Sequence, residues 1–575
     1  MMTTLLNIRE LNISFQVDNV DIPAVTDLNF SVDRGETVAI VGESGSGKSV
    51  TALSIMQLLA PNVHYNGGTL TFQQKDGRLV DILKCTSSQL QHIRGNEIGM
   101  IFQEPMSSLN PVLTCGSQVQ EALRVHQPIT LKEAKSKTID LFAKMELPDP
   151  EKIMNRYPHQ LSGGQKQRVM IAMAMCGSPS LLIADEPTTA LDVTVQQSIL
   201  KLMKQLQQEY GMGLLFITHD LGIVQDIANK VIVLYKGSLV EQGNVNEVFQ
   251  QPQHPYTKAL LACRPVLYSK GQRLAQVRDF LTPDQSKIDS LSVPVAPIAT
   301  SNLETTEPFA ALQNVTVRFP GTKHIFEKAV DFLYAVKNVS FEIEKGETVG
   351  LVGESGSGKT TIGRCLVGLT RPSAGSVFFE GKNLFEMPEA SLKNFRKKVQ
   401  IVFQDPYASL NPRMKIGEML MEPLLVHRFY NDRKRAREAV VSLLEKVHLN
   451  ADSIFRYPHE FSGGQRQRIV IARALALQPS LIVWDESVSA LDVSVQAQIL
   501  NLLNELKKEM GFSSLFISHD LSVVRYISDR ILVMKEGQIV ESGTAEDVYH
   551  HPQNAYTQKL IDAIPGKKGL PTLKF

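Results

Sequence analysis

The chain has 575 residues, 43% of them hydrophobic and 21% charged, with a formal net charge of +1. Such a length exceeds one hydrophobic core and points to more than two units of ordinary domain size. The balanced charge gives no electrostatic reason to expect nucleic acid as a partner. Five cysteines (Cys85, Cys115, Cys176, Cys263 and Cys365) are scattered without paired spacing, which argues against a disulfide framework or a zinc site and fits a reducing compartment. The first ten residues lack the basic segment and apolar core of a signal peptide, and no apolar run is long enough to span a bilayer. A soluble chain is expected, one that reaches a membrane only through partner subunits.

Residues 5–15 alternate like a strand, a polar turn follows around 18–21, and 28–32 forms a second strand. Residues 37–41 (TVAIV) are a continuous β-branched run, the pattern of a strand buried on both faces. That run enters Gly42-Glu43-Ser44-Gly45-Ser46-Gly47-Lys48-Ser49, and residues 50–59 follow as a helix. Strand, glycine loop and helix together identify a P-loop: its N–H groups cradle phosphates, Lys48 neutralises the β/γ charge, and the Ser49 hydroxyl takes a place on Mg²⁺.

Further along come Gln103 in a Phe-Gln-Glu-Pro turn and Leu161-Ser162-Gly163-Gly164-Gln165 before the apolar helix 169–175. The serine hydroxyl, the two glycines and the helix N-terminus of that pentapeptide suit an anion, a phosphate above all. Residues 181–186 (LLIADE) then form an apolar strand ending in Asp185 and Glu186, and His219 ends a further apolar strand.

The same series returns. Gly353-Glu354-Ser355-Gly356-Ser357-Gly358-Lys359-Thr360 follows the strand 348–352 and precedes a helix over 361–369; Gln404, Ser462-Gly463-Gly464-Gln465, Asp485, Glu486 and His519 come after it. Gln165 to Gln465, Asp185 to Asp485 and His219 to His519 are each offset by 300 residues, so the chain is two copies of one domain. From P-loop to glutamine the first copy runs 61 residues and the second 51, and the excess is expected in a surface loop around 73–85, where Lys75-Asp76-Gly77 signals a turn. Residues 281–308, rich in Ser, Thr, Pro and Asp, read as an exposed linker, and 566–575 as a tail.

The pentapeptide, with a P-loop before it and an acidic strand end after it, resembles the signature motif of ABC ATPases, and the resemblance covers nearly the whole chain. It implies an α/β fold: two P-loop NTPase domains over 1–265 and 309–565, each a RecA-like core with a helical subdomain and an antiparallel β-subdomain, joined by a linker and regulatory extension over 266–308. It implies that Asp185 and Asp485 hold Mg²⁺ through water, that Glu186 and Glu486 are general bases, and that Gln103 and Gln404 sense Mg²⁺ and γ-phosphate. His219 and His519 are then switch histidines, and 190–192 and 490–492 are D-loops. Each ATP lies between one domain's P-loop and the other's signature, so Lys48 works opposite Ser462 and Lys359 opposite Ser162. Neither copy has lost a reacting group; Thr189 is matched by Ser489 and Pro187 by Ser487. Phe15 is the candidate to stack on adenine in the first copy; in the second Phe319 has the matching place and Tyr334 is its rival.

Residues 106–111 and 407–412, with His254-Pro255-Tyr256-Thr257 and its partial repeat Asn554-Ala555-Tyr556-Thr557, resemble the di- and oligopeptide importer branch. The fused form resembles bacterial systems importing peptides, glutathione or peptide-like antibiotics. This implies two transmembrane permease subunits as partners, a substrate-binding protein acting through them, and a place at the cytoplasmic face of the inner membrane. Only Cys263 lies where relatives carry an iron–sulfur cysteine cluster, so none is expected. The alternative is a soluble tandem ABC ATPase acting on ribosomes, against which the proline-broken, weakly charged linker counts.

Overall fold

A computed structural model describes residues 3–17, 19–103, 108–189, 191–281, 308–320, 332–489 and 491–566. Internal contacts divide the chain into two compact units, Met1–Ala262 with Val277–Pro283 and Pro565–Phe575, and Cys263–Gln276 with Asp284–Ile564. Most of the expected linker, 282–307, lies outside the described residues, as do 321–331 and the tail beyond 566.

The strands of the first unit are β1 (Thr4–Val17), β2 (Val20–Asp33), β3 (Thr37–Val41), β4 (Val63–Gln73), β5 (Leu79–Asp81), β6 (Ile98–Ile101), β7 (Leu181–Asp185), β8 (Gly213–Thr218), β9 (Lys230–Tyr235) and β10 (Ser238–Asn244). They join in one sheet of order β5-β4-β1-β2-β10-β9-β3-β8-β7-β6. The first four are antiparallel, while β6, β7, β8, β3 and β9 run parallel. Every residue of β3, β7 and β8 is buried, as unbroken apolar runs require in a sheet covered on both faces.

In the second unit β11 (Ala310–Pro320), β12 (Phe332–Ile343), β13 (Thr348–Val352), β14 (Ala374–Phe379), β15 (Lys382–Asn383), β16 (Val399–Val402), β17 (Leu481–Asp485), β18 (Ser513–Ser518), β19 (Arg530–Lys535) and β20 (Gln538–Thr544) form two sheets, β12-β11-β14-β15 and β16-β17-β18-β13-β19-β20. The parallel register pairs Val41 with Thr218 and Asp185 with Ile217, and in the second unit Val352 with Ser518 and Asp485 with Ile517. P-loop, acidic pair and histidine therefore leave the sheet at the same carboxyl edge, the usual ligand crevice of such sheets.

Between β6 and the signature, the helices Cys115–His126, Leu131–Lys144 and Pro150–Met154 bury Val119, Leu123, Phe142, Met145 and Ile153 with Val169 of the signature helix. Thr130 and Glu133 form a capping box that starts the second of these helices. Helices Ile416–Val426 and Arg433–Lys446 repeat the arrangement.

Three boundaries differ from expectation. The helix after each P-loop begins at the lysine and ends early, Lys48–Ile55 and Lys359–Leu366, because Gln57 (φ 47°) and Gly368 (φ 73°) turn the chain into left-handed backbone. The polar turn at 18–21 is tighter, with β2 already under way at Val20. The excess around 73–85 is partly structured: β4 and β5 pair about the Lys75-Asp76-Gly77 turn.

Candidate nucleotide sites

Each P-loop stands between its central strand and the following helix, with Gly47 (φ 100°) and Gly358 (φ 106°) at the N-caps. A Cβ on Gly47 would come within 2.8 Å of the Ala24 carbonyl, and on Gly358 within 2.2 Å of the Ala335 carbonyl, so the sharp entry requires glycine. Lys48 is buried and its Nζ donates to the carbonyls of Gly42 (2.7 Å) and Glu43 (2.8 Å); Lys359 donates to Gly353 and Glu354 at 2.8 Å each. Among the described residues the Ser46 and Ser357 hydroxyls, both buried in the loops, have no hydrogen-bond partner. A buried donor without a partner costs about 1–3 kcal/mol, and a phosphate would satisfy it.

The Ser49 hydroxyl donates to Asp185 Oδ1 at 3.2 Å and the Thr360 hydroxyl to Asp485 Oδ1 at 2.9 Å, placing two oxygen ligands of the kind Mg²⁺ prefers side by side in each unit. Burial pushes the Asp185 carboxyl up to about 6, although Ser49 and Lys48 pull it down. Next to it, Glu186 Oε2 receives Gln103 Nε2 (3.1 Å) and the Thr189 hydroxyl (3.0 Å) and lies 3.2 Å from His219 Nδ1. Burial works upward on Glu186 too, but the hydrogen bond and charge of His219, with Lys48 and Thr189, bring it to about 2.

The second unit repeats the arrangement with one donor fewer. Glu486 Oε2 receives Gln404 Nε2 at 2.9 Å and lies 3.5 Å from His519 Nδ1, while the Ser489 hydroxyl turns to the Glu486 backbone carbonyl at 2.9 Å. Burial raises Asp485; Glu486 is again held below its ordinary value, with His519 and Lys359 outweighing its burial. Two adjacent carboxyls driven apart in this way suit a metal ligand beside an ionised base.

The signatures open the helices Gly163–Met175 and Gly463–Leu475 as capping boxes. Ser162 Oγ accepts from Gln165 N–H (3.3 Å) while the Gln165 side chain accepts from Ser162 N–H (3.1 Å), and Ser462 and Gln465 do the same. Their two glycines have different roles. Gly163 and Gly463 are exposed, whereas a Cβ on Gly164 or Gly464 would come within 2.6 or 2.4 Å of Val195 or Val495 Cγ1 on the helix after the D-loop.

Phe15 is half-buried in β1 opposite Ile22, and Phe319 holds the matching register in β11 opposite Leu333; Phe319 and Tyr334 are both exposed, at 43% and 46%. Residues 104–107, Ala190 and Ala490 lie outside the described residues. In the second unit 406–409 form a single helical turn capped by Asp405, and Arg466 lies 3.7 Å over the exposed Tyr407 ring.

Sequence reasoning missed the attachment of each P-loop to the end of its unit. Tyr256 Oη accepts the Glu43 N–H at 3.0 Å, and Tyr556 Oη the Glu354 N–H at 3.1 Å. The available signal was the tyrosine's recurrence where the two residues before it differ.

The ABC transporter family matches residues 25–189 and 336–489, and the oligopeptide/dipeptide transporter C-terminal region matches 240–288 and 540–571. The glutathione import ATP-binding protein GsiA of Pectobacterium atrosepticum is 47% identical over 564 residues, 97% of this chain and 89% of that protein. GsiA of Escherichia coli (strain K12) is 47% identical over 568 residues, again 97% and 89%. Among solved structures, the dimeric MJ0796, a bacterial ABC transporter cassette, is 31% identical with a TM-score of 0.37, covering 41% of this chain and 98% of that one.

Proposed function

The chain belongs to the ABC transporter family, and on that premise we propose that it is the ATP-hydrolysing, energy-coupling subunit of an importer for peptides or peptide-like molecules, glutathione among them. The observation that carries this is that both units keep a whole reacting set: lysine on the P-loop, hydroxyl on the strand-end aspartate, and a glutamate held by glutamine and histidine. The match to the oligopeptide/dipeptide transporter C-terminal region and the GsiA relatives support the import direction and the substrate class. A soluble ATPase acting on ribosomes draws no support from these relatives.

On this reading ATP enters each P-loop, where Lys48 or Lys359 exchanges two loop carbonyls for phosphate oxygens and the Ser46 or Ser357 hydroxyl gains a partner. Ser49, Asp185 and Gln103, and in the second unit Thr360, Asp485 and Gln404, would hold Mg²⁺, partly through water. The ion supplies neutralisation of the phosphate charge. Glu186 and Glu486 take the proton of the attacking water, and general-base help of this kind is worth roughly 10²- to 10⁴-fold. The glutamines and histidines aim these bases, Phe15 and Phe319 offer faces to adenine, and the exposed Ser162-Gly163 and Ser462-Gly463 present the signatures. The ATPase domains are 1–265 and 309–565.

No helix among the described residues is long and apolar enough to cross a membrane. On this reading, which the importer relatives support, two permease subunits carry out translocation, with this chain at their cytoplasmic face and a substrate-binding protein supplying them. Deleting the chain from its host should abolish uptake of dipeptides, oligopeptides or glutathione. Wild type should restore that uptake, whereas Glu186→Gln with Glu486→Gln should bind ATP and restore nothing. Unchanged uptake of all three substrates in the deletion strain would overturn the assignment.

A further inference from the structure

We propose that Tyr256 and Tyr556 are positioning residues for the P-loops, tying the shape of each ATP cradle to the C-terminal end of its own unit. This rests on the reading of the P-loops as ATP sites. Each phenol oxygen accepts the backbone N–H of the second P-loop residue across more than 200 residues of chain, and the bond occurs in both units.

The surroundings of each tyrosine are built to hold it. Glu241 accepts the N–H groups of Gln253 (2.8 Å) and His254 (3.1 Å), and His254 Nδ1 accepts the Tyr256 N–H (3.2 Å). In the second unit Glu541 accepts from Gln553 (2.7 Å) and Asn554 (3.2 Å), and Asn554 Oδ1 accepts the Tyr556 N–H (2.8 Å). Histidine and asparagine, unlike in size and shape, thus place an acceptor at the same point, which makes the sequence difference at 254 and 554 chemically neutral. The Tyr256 ring is wholly buried against Tyr235, centroids 4.3 Å apart, and Lys535 Nζ lies 5.2 Å over the Tyr556 ring.

The position of the bond gives it a role. The lysine of each loop donates to the carbonyls of the first two loop residues, so the first of those peptides, Gly42–Glu43 or Gly353–Glu354, is held by the lysine at its carbonyl and by the phenol at its N–H. When the lysine turns to phosphate, the phenol is the anchor that stays. It keeps the loop's first turn in the shape ATP needs.

The test compares Tyr256→Phe with Tyr556→Phe against wild type in the full chain, with its permeases where these are required for turnover. Loss of one hydrogen bond at the loop should weaken ATP binding and raise KM for ATP about fivefold to tenfold. The value of kcat should stay near wild type, and the melting temperature should fall by only a few degrees, because each ring remains and only the partner of one part-buried N–H is lost in each unit. His254→Ala should weaken ATP binding in the same sense, and His254→Asn, which supplies the second unit's own cap, should restore it. Unchanged ATP affinity in the tyrosine double variant would overturn the positioning role. Lys48→Ala with Lys359→Ala separates the two readings: if it too binds ATP like wild type, the P-loop assignment falls; if it loses binding while the tyrosine variants do not, only the positioning role falls.

Discussion

Glu186 and Glu486 have φ of 47° and 49°, left-handed backbone that a glutamate keeps only where its surroundings hold it. The hold is visible: their N–H groups donate to the Ile217 and Ile517 carbonyls at 2.9 and 3.0 Å, and glutamine and histidine take the carboxylates. That Asp185, Glu186 and His219, and their counterparts Asp485, Glu486 and His519, stand at strand ends was legible in the sequence because each closes an apolar run. That Gln103 and His219 meet on Glu186 was not, since the pairings span 83 and 33 positions and no local pattern encodes them. A second pairing of this kind lies at the start of the central strand. Asn229 Oδ1 accepts the Thr37 N–H at 2.8 Å, and in the second unit Asp529 Oδ2 accepts the Thr348 N–H at 2.8 Å while facing Lys270 and Lys507. Burial raises the Asp529 carboxyl, but the two lysines and the Thr348 N–H outweigh it and hold it below its ordinary value. A depressed carboxyl contributes stability above its unfolded pKa and loses it as pH falls through the folded value. Asp529→Asn keeps the acceptor and removes the charge. With Asp529 35% exposed, it should cost on the order of 1 kcal/mol at neutral pH and converge with wild type in acid, as read by thermal melts across pH.

At the scale of elements, the signature helix shows two constraints in one pentapeptide. Ser162 and Gln165 close a capping box, while Gly164 lets a β-branched neighbour approach to a distance no Cβ allows. Alanine at Gly164 or Gly464 should overpack against Val195 or Val495 and destabilise by about 1–3 kcal/mol. Alanine at Gly463, which has open space around its Cβ, should be tolerated in thermal denaturation and separates the two glycines' roles. If both glycines gave equal losses of stability, the packing argument would be wrong. Buried strands were read correctly because β-branched runs leave little choice, as β3 and β13 show. Helix ends were not: the apolar pattern continues through Leu58 and Leu59, and the stop at Ile55 comes from a single left-handed residue, Gln57.

For the whole molecule, duplication made the function readable, since every motif occurs twice in the same order and one chance match cannot imitate that. The segment after the helix Pro255–Ala262 groups with the second unit, and Pro565 and Gly566, after the helix Ala555–Asp562, group with the first, where the Gly566 N–H donates to Asp226 Oδ2 at 3.3 Å. Cys263–Gln276 folds with the second unit: Leu274 exchanges two hydrogen bonds of 2.9 Å with Asn501, and the Tyr526 hydroxyl donates to the Gln272 carbonyl at 2.7 Å. The first copy has Lys201 and Asp226 where the second has Asn501 and Tyr526, so the repeat offset carried no sign of this receptor. The central claim is that a chain with two complete ATP sites drives import through subunits it does not itself contain. Its most direct test is to capture the tagged chain from host membranes in mild detergent, with and without ATP, and identify what comes with it. Two polytopic permease subunits are the predicted result; ribosomal particles, or nothing from the membrane under either condition, would contradict it.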